Sequence, residues 1–313
     1  MTERLIWLNG NLRSEREAVV SIYDSALLYG DSVFEMLRSF NRIHFRVREH
    51  LDRLAAGAVT LGIPVPSPEA MAEALADLTA AHLDAFAPDD EVRTLITASR
   101  GVLPLYRQAG LGAGEPWLMI CQYPLRWVMS GAGVDYRQGV TGVVTSVPAL
   151  PDAAVPCHVK HHNRIHFRRA EAEANQRTTA RPVWALVVTP DGNAAEATGA
   201  NCFTVDRRGR LWTPPTSVCL PGISRAFVIE LATAAGLQVR EGWPADPIRE
   251  AFFTCTPRCL VPWTGSQAGP IGDGTPGPIT RALTAAWIEA VQCDFIRQAM
   301  LWENQMECAG VLC

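Results

Sequence analysis

Apolar and polar positions along this chain change period several times, and each change marks an element. In "LIWLNGNL" (residues 5–12) an apolar run breaks at Asn9-Gly10, a pair suited to a two-residue hairpin turn. "DSVFEMLRSFNRIHFRV" (31–47) alternates on either side of Asn41-Arg42 and predicts two strands. The period then lengthens. Leu51, Leu54, Ala55, Ala58 and Leu61 repeat at helical spacing, and Gly62 ends the pattern. Residues 67–86 open with Ser67 as a cap and Pro68 in the first turn, so a second helix is predicted there. "EVRTLITAS" and "PWLMICQYPL" are strands, and this α+β half ends near residue 125.

Residues 126–136 read as a connector, after which "VDYRQGVTGVVTSV" resumes β-rich sequence. "NRIHFRRAEAEANQR" is a helix by propensity. The stretch from Val183 to Pro214 is a run of short strands with turns at Asp191-Gly192 and Arg208-Gly209. "SRAFVIELATAAGLQV" is a helix closed by Gly236, and "EAFFTCT" and "LVPWT" are strands. "SQAGPIGDGTPGP" is a loop, and residues 279–300 form one terminal helix. The expected domains are 1–125, a connector 126–136, a larger domain 137–292 and an extension 293–313.

Composition narrows the classes. With 313 residues, 48% hydrophobic and 19% charged, the chain can build large cores and suits two domains. The net charge of −4 gives no basic field for nucleic acid. No apolar run is long enough for a membrane span, so a cytoplasmic protein is expected. The nine cysteines are scattered and lack a Cys-x-x-Cys pair, which favours reduced thiols over a disulfide framework.

The basic residues carry the first chemical signal. Of 28 Lys and Arg, Lys160 is the single lysine. It lies in "HVKHHNR" (158–164), and His158, His161, His162 and His166 are four of the seven histidines. A surface lysine left in an Arg-rich chain is the bland reading. The chemical one is that only a neutral amine attacks a carbonyl, and arginine cannot supply one. The histidines offer a rival: His162 and His166 stand four apart as metal ligands do, but no carboxylate supports them. "GLGAG" (110–114) follows no strand and reads as a loop. "LPGISR" (220–225) leads into a helix whose first N–H groups suit an anion, or serve as an ordinary cap. Glu196, in "AEATGANCFTV", is either a hairpin acid or a carboxylate for a cationic ring nitrogen.

Taken in order, "LLYGDSVFEMLR", "REHLDRL", "SRG", "VKHHNR", "EATGANCFTV", "LPGISR" and "TCTPRCLVP" resemble the class IV aminotransferases. These are the fold-type IV enzymes, which include branched-chain and D-amino-acid aminotransferases and aminodeoxychorismate lyase. The resemblance spans the chain to about residue 290. It implies two α/β domains with pyridoxal 5'-phosphate between them, a homodimer, and an amino acid and a 2-oxo acid as substrates. It makes Lys160 the imine-forming lysine and puts Arg53 on the cofactor phosphate. Glu196 falls at the pyridine nitrogen, Leu220 on the ring, and Ile223, Ser224 and Thr256 at phosphate-binding positions. Tyr29 and Arg38 match active-site walls, and Arg100 matches an arginine that reads the substrate carboxylate in the D-amino-acid branch.

Three positions depart from the branched-chain pattern: Ile165 replaces a tyrosine, Pro257 removes a backbone N–H, and Met36 replaces a glycine. "KHHNR" resembles the lysine segment of aminodeoxychorismate lyase. Amino transfer on a small amino acid, pyruvate elimination by a lyase, and a histidine-cluster metal-binding protein are the three readings carried forward.

Overall fold

The computed structural model describes residues 3–82, 85–112, 114–179 and 182–308. The chain divides into two compact units, one of residues 1–127 with 158–164 and one of 128–157 with 165–313.

The first unit begins with β1 (Leu5–Leu8), β2 (Asn11–Ser14), α1 (Ser25–Tyr29), β3 (Ser32–Phe40) and β4 (Ile43–His44). It continues with α2 (Val47–Leu61), α3 (Pro68–His82), β5 (Val92–Ser99), α4 (Pro104–Gln108) and β6 (Trp117–Pro124). Its six strands run in the order β2-β1-β6-β5-β3-β4, each neighbouring pair antiparallel. Both predicted two-residue turns form, and both need left-handed backbone: Asn9 and Gly10 have φ of 45° and 89°, Asn41 and Arg42 of 51° and 64°. Leu37, Leu51, Leu54, Met71, Leu78, Ile96 and Ile120 are almost wholly buried between sheet and helices. Each such side chain contributes roughly 1.5–3 kcal/mol of burial. Gly62 ends α2 at φ 64°, as its place in the sequence implies. The α3 pattern stops at His82, short of residue 86; residues 83 and 84 lie outside the described residues.

The second unit holds α5 (Ala132–Gln138), β7 (Val140–Pro148), α6 (Ile165–Arg177), β8 (Val183–Val188), β9 (Ala194–Ala197) and β10 (Asn201–Asp206). After these come β11 (Leu211–Thr213), α7 (Ile223–Ala234), β12 (Val239–Glu241), β13 (Ile248–Cys255) and β14 (Cys259–Ser266). β15 (Gly269–Pro270), α8 (Pro278–Val291) and α9 (Phe295–Cys308) complete it. The sheet is mixed, in the order β12-β11-β10-β13-β14-β7-β8-β9, with β15 on β14. β7 runs parallel to both β14 and β8.

Three expectations differ from the structure. Residues 126–136 are no bare connector: after a short helical turn, α5 begins at Ala132, and the Gly133 N–H donates to Glu303 of α9 at 2.8 Å. The terminal helix is two helices. Gln292 turns left-handed at φ 51°, and the Asp294 carboxylate then accepts from the Arg297 N–H at 2.9 Å, starting α9. The third difference matters most for chemistry: residues 158–164, expected within the larger domain, pack into the first unit.

Candidate cofactor and active site

In the first unit, β3 organises everything. Its period of two puts Val33, Glu35 and Leu37 on one face and Phe34, Met36 and Arg38 on the other. The segment around Lys160 lies along the edge of this strand. The Phe34 N–H donates to the Lys160 carbonyl at 2.9 Å, Val33 and His161 form an antiparallel bridge, and Gly57 of α2 packs against Val159. Gly30, which ends α1, closes on Asn163: a Cβ there would sit 3.0 Å from the asparagine Cβ. The backbone of the lone lysine is thus fixed from three sides, and its Nζ lies 4.7 Å from the Phe34 ring centroid.

His162 stacks on Phe34 at 4.1 Å and places Nδ1 3.1 Å from Ser32 Oγ. Desolvation, and then the positive charges of Arg164 and Lys160, push its pKa down to about 4, so the ring is neutral at pH 7. His158 instead reaches Thr60 at 2.9 Å, and His166 packs on Phe167. The histidines go to separate partners, and among the described residues no group of three metal-ligating side chains is assembled.

The opposite face of β3 meets α2. Glu35 is fully buried and takes a fork of bonds from Arg53, Nε to Oε1 at 2.6 Å and Nη2 to Oε2 at 2.8 Å. Arg38, at 1% exposure, lies under Phe40 with Nε on the Ser39 carbonyl, deeper than a pocket wall expected from sequence. Tyr29 is exposed at the end of α1, its hydroxyl 3.2 Å from that of Tyr106. Arg100 departs furthest from its expected role. It binds Asp31 through Nε and the Leu61 and Gly62 carbonyls through its other nitrogens, which pins the strand end to the end of α2 instead of offering a fork to substrate.

Arg93 went unnoticed in the sequence. Directly across from Arg38, it shares the Phe34–Met36 face, lies 5.4 Å from the Tyr123 ring and directs Nε to the Met36 sulfur at 3.1 Å. The strand period of β5 was the available signal, since Arg93 is the charged position on the face of Leu95 and Thr97.

The second unit carries a different set. The Glu196 carboxylate at the end of β9 accepts the Leu220 N–H at 3.3 Å. The Leu220 carbonyl accepts from Asn201 Nδ2 at 2.8 Å. One acid and one amide therefore hold the backbone of Leu220 on both sides. Asn201 also explains Gly222, because a Cβ at Gly222 would run into its side-chain oxygen. Gly222 starts α7 with no side-chain cap, so the N–H groups of Ile223 and Ser224 are presented to an anion.

Thr256 sits in the loop joining β13 to β14, between the paired Cys255 and Cys259. Arg258 anchors this loop to Asp135 and the Ser130 carbonyl, and the Arg258 carbonyl accepts from the Tyr136 hydroxyl. Burial pushes the thiols of Cys157 and Cys202 up to about 12, with Asp152 adding to the effect at Cys157 and the Glu196 charge at both, so both stay protonated. The first unit thus has an amine on a fixed backbone and an arginine held in one orientation; the second has a carboxylate and an uncapped helix start.

Comparison with known proteins gives the same direction. The sequence pattern of the family Amino-transferase class IV matches residues 32–263. The "Putative branched-chain-amino-acid aminotransferase" of Methanocaldococcus jannaschii is 31% identical over 288 residues, covering 89% of this chain and 93% of that protein. The branched-chain-amino-acid aminotransferase of Salmonella typhimurium is 28% identical, with 90% and 91% covered. Among solved structures, the T.th. branched-chain amino acid aminotransferase with pyridoxamine 5'-phosphate superposes with a TM-score of 0.80 at 27% identity, covering 93% of this chain and 95% of that one. The Escherichia coli branched-chain enzyme gives 0.77 at 26%, covering 92% and 94%. On this sequence match and this architecture, the chain belongs to the class IV aminotransferases, enzymes that use pyridoxal 5'-phosphate.

Proposed function

We propose that the protein transfers an amino group between a small aliphatic amino acid and a 2-oxo acid, with Lys160 as the reacting lysine. The observation that carries this is the anchoring of Lys160: its carbonyl is bonded into β3 and its amine lies over Phe34. Bound pyridoxal 5'-phosphate supplies an electron sink that makes the substrate Cα–H acidic. The Lys160 amine takes that proton and returns it one step later. In the second unit Glu196 would balance positive charge on a ring nitrogen, and the N–H groups of Ile223 and Ser224 and the side of Thr256 would suit a phosphate; in the first, the Arg53 guanidinium would suit a phosphate too. Leu220 would lie against the ring and Tyr29 and Arg93 would line the substrate side, while Arg38, buried under Phe40, offers substrate no surface.

The named relatives support an aliphatic substrate. Met36, on the Phe34 face, is bulkier than the glycine of the branched-chain pattern, and its sulfur is met by Arg93. Pro257 has no N–H for a substrate carboxylate. Purified protein should be yellow, and a donor panel of L- and D-amino acids with 2-oxoglutarate should show turnover that disappears in Lys160→Ala. A protein that stays colourless with added cofactor ends this reading.

A second reading has one observation behind it: Lys160 and Arg164 both lie over Phe34, two cations suited to an anionic substrate, with the neutral ring of His162 stacked on the same side chain. A lyase would release pyruvate from aminodeoxychorismate with no oxo-acid acceptor. Strict dependence on an acceptor rejects it.

A homodimer is part of the proposal. Val19, Val20, Ile22, Leu27, Tyr29 and Leu105 of the first unit are all exposed. They lie on segments joined by the Tyr29–Tyr106 and Tyr23–Tyr106 contacts, an apolar patch of the kind a second copy covers.

A further inference from the structure

The buried acid behind Arg53 has no role in the chemistry described so far. Glu35 is fully buried on the helix-facing side of β3. Its carboxylate takes both parallel bonds of the Arg53 fork, and His50 Nδ1 lies 2.7 Å from Oε2. His50 and Arg53 are three residues apart on α2, so both reach the same point from one face of the helix. The Met36 N–H adds a longer bond to Oε2 at 3.3 Å. Burial alone would raise the Glu35 pKa; the Arg53 charge and the His50 hydrogen bond outweigh it and hold the carboxyl below the usual range.

An ionised carboxylate inside a protein is costly unless it is paired and hydrogen-bonded, as it is here by Arg53 and His50. A neutral, well-packed pair would fill the same space. What the ionic fork adds is direction: two parallel bonds fix the plane of a guanidinium in a way one bond or a point charge cannot.

We propose that Glu35, backed by His50, is a positioning residue that orients the Arg53 guanidinium for the cofactor phosphate. This rests on the assignment of Arg53 to the phosphate. Glu35 touches neither cofactor nor substrate. It acts through Arg53, and it therefore affects recognition of the phosphate and nothing else on the cofactor.

The test compares two probes on cofactor-free protein: pyridoxal 5'-phosphate and pyridoxal, which lacks the phosphate. Binding is read by absorbance titration, with the ratio of the two dissociation constants as the result. In Glu35→Gln the ratio should fall about tenfold, the range for losing a charge-assisted bond, with pyridoxal affinity unchanged. Arg53→Met should lower it further, and adding Glu35→Gln to Arg53→Met should change it no more. If Glu35→Gln does not fold, Glu35→Asp answers the question, because it keeps the charge and leaves Arg53 in place but draws the carboxylate back from the fork. It too should lose discrimination.

A wild-type ratio in Glu35→Gln, or in Glu35→Asp where that variant must stand in, overturns the proposal. So does equal weakening toward both probes, which marks a purely structural role. If Arg53→Met itself keeps the wild-type ratio, the phosphate assignment of Arg53 has failed, and the positioning role falls with it for a different and recognisable reason.

Discussion

At the scale of single residues, the chain separates groups that react from groups that hold them. Lys160→Arg retains charge and much of the length of the side chain but cannot form an imine. It should abolish the cofactor's visible absorbance while leaving the far-ultraviolet spectrum intact. Gly222→Ala tests the holding groups. Its methyl collides with the Asn201 side chain, which anchors Leu220. The expected result is cofactor affinity weakened by roughly tenfold, the effect of one lost or displaced polar contact, read by titration. Lys160 was legible in the sequence because it is the single lysine. Asn201, Glu35 and Arg93 were not, because their meaning depends on neighbours 18 to 57 residues away.

At the scale of elements, helices are started and stopped by identifiable groups, and buried polar groups set their pH response. Glu250 caps α8: its carboxylate accepts from the Ile279 N–H at 3.2 Å and from the Thr280 N–H and hydroxyl at 2.9 Å. Glu250→Ala should cost about 1–2 kcal/mol, which thermal melting should show as a drop of a few degrees. His44 on β4 lies 2.7 Å from the Thr94 hydroxyl, and desolvation pushes its pKa down to about 4. Because the folded chain resists a proton that the unfolded chain accepts near 6.5, this contribution is whole above pH 6.5. It is lost as pH falls from there toward about 4. His44→Gln should flatten the decline of melting temperature between about pH 6.5 and 4.5. A slope unchanged by that substitution rules His44 out as its source.

Sequence patterning located most helices and strands because burial of one face imposes a period that a reader can count. It failed at Gln292 and in the 126–136 segment. Neither is written in the hydrophobic period: α5 is held by its bond to α9, and the break at Gln292 comes from one left-handed residue followed by the Asp294 cap.

At the scale of the molecule, the exposed apolar patch of the first unit makes a prediction about assembly. Leu27→Asp with Leu105→Asp should convert a dimer to monomer in light scattering, with circular dichroism unchanged. A wild-type protein already monomeric at micromolar concentration removes the proposal. Among the described residues, no helix is long and apolar enough to cross a membrane.

By itself, the sequence determined the family, through its motifs and their order, because a lone lysine, a turn glutamate and a glycine-led helix start are properties of single positions or short stretches. It also determined most of the elements, because hydrophobic period is local. Tertiary structure alone decided that the Lys160 segment returns to β3 in the first unit, that Glu35 stands behind Arg53, and that Arg100 is held by Asp31 and the end of α2. Each of these is a pairing between distant positions, and the energy that selects it comes from contacts that exist only once the chain has folded.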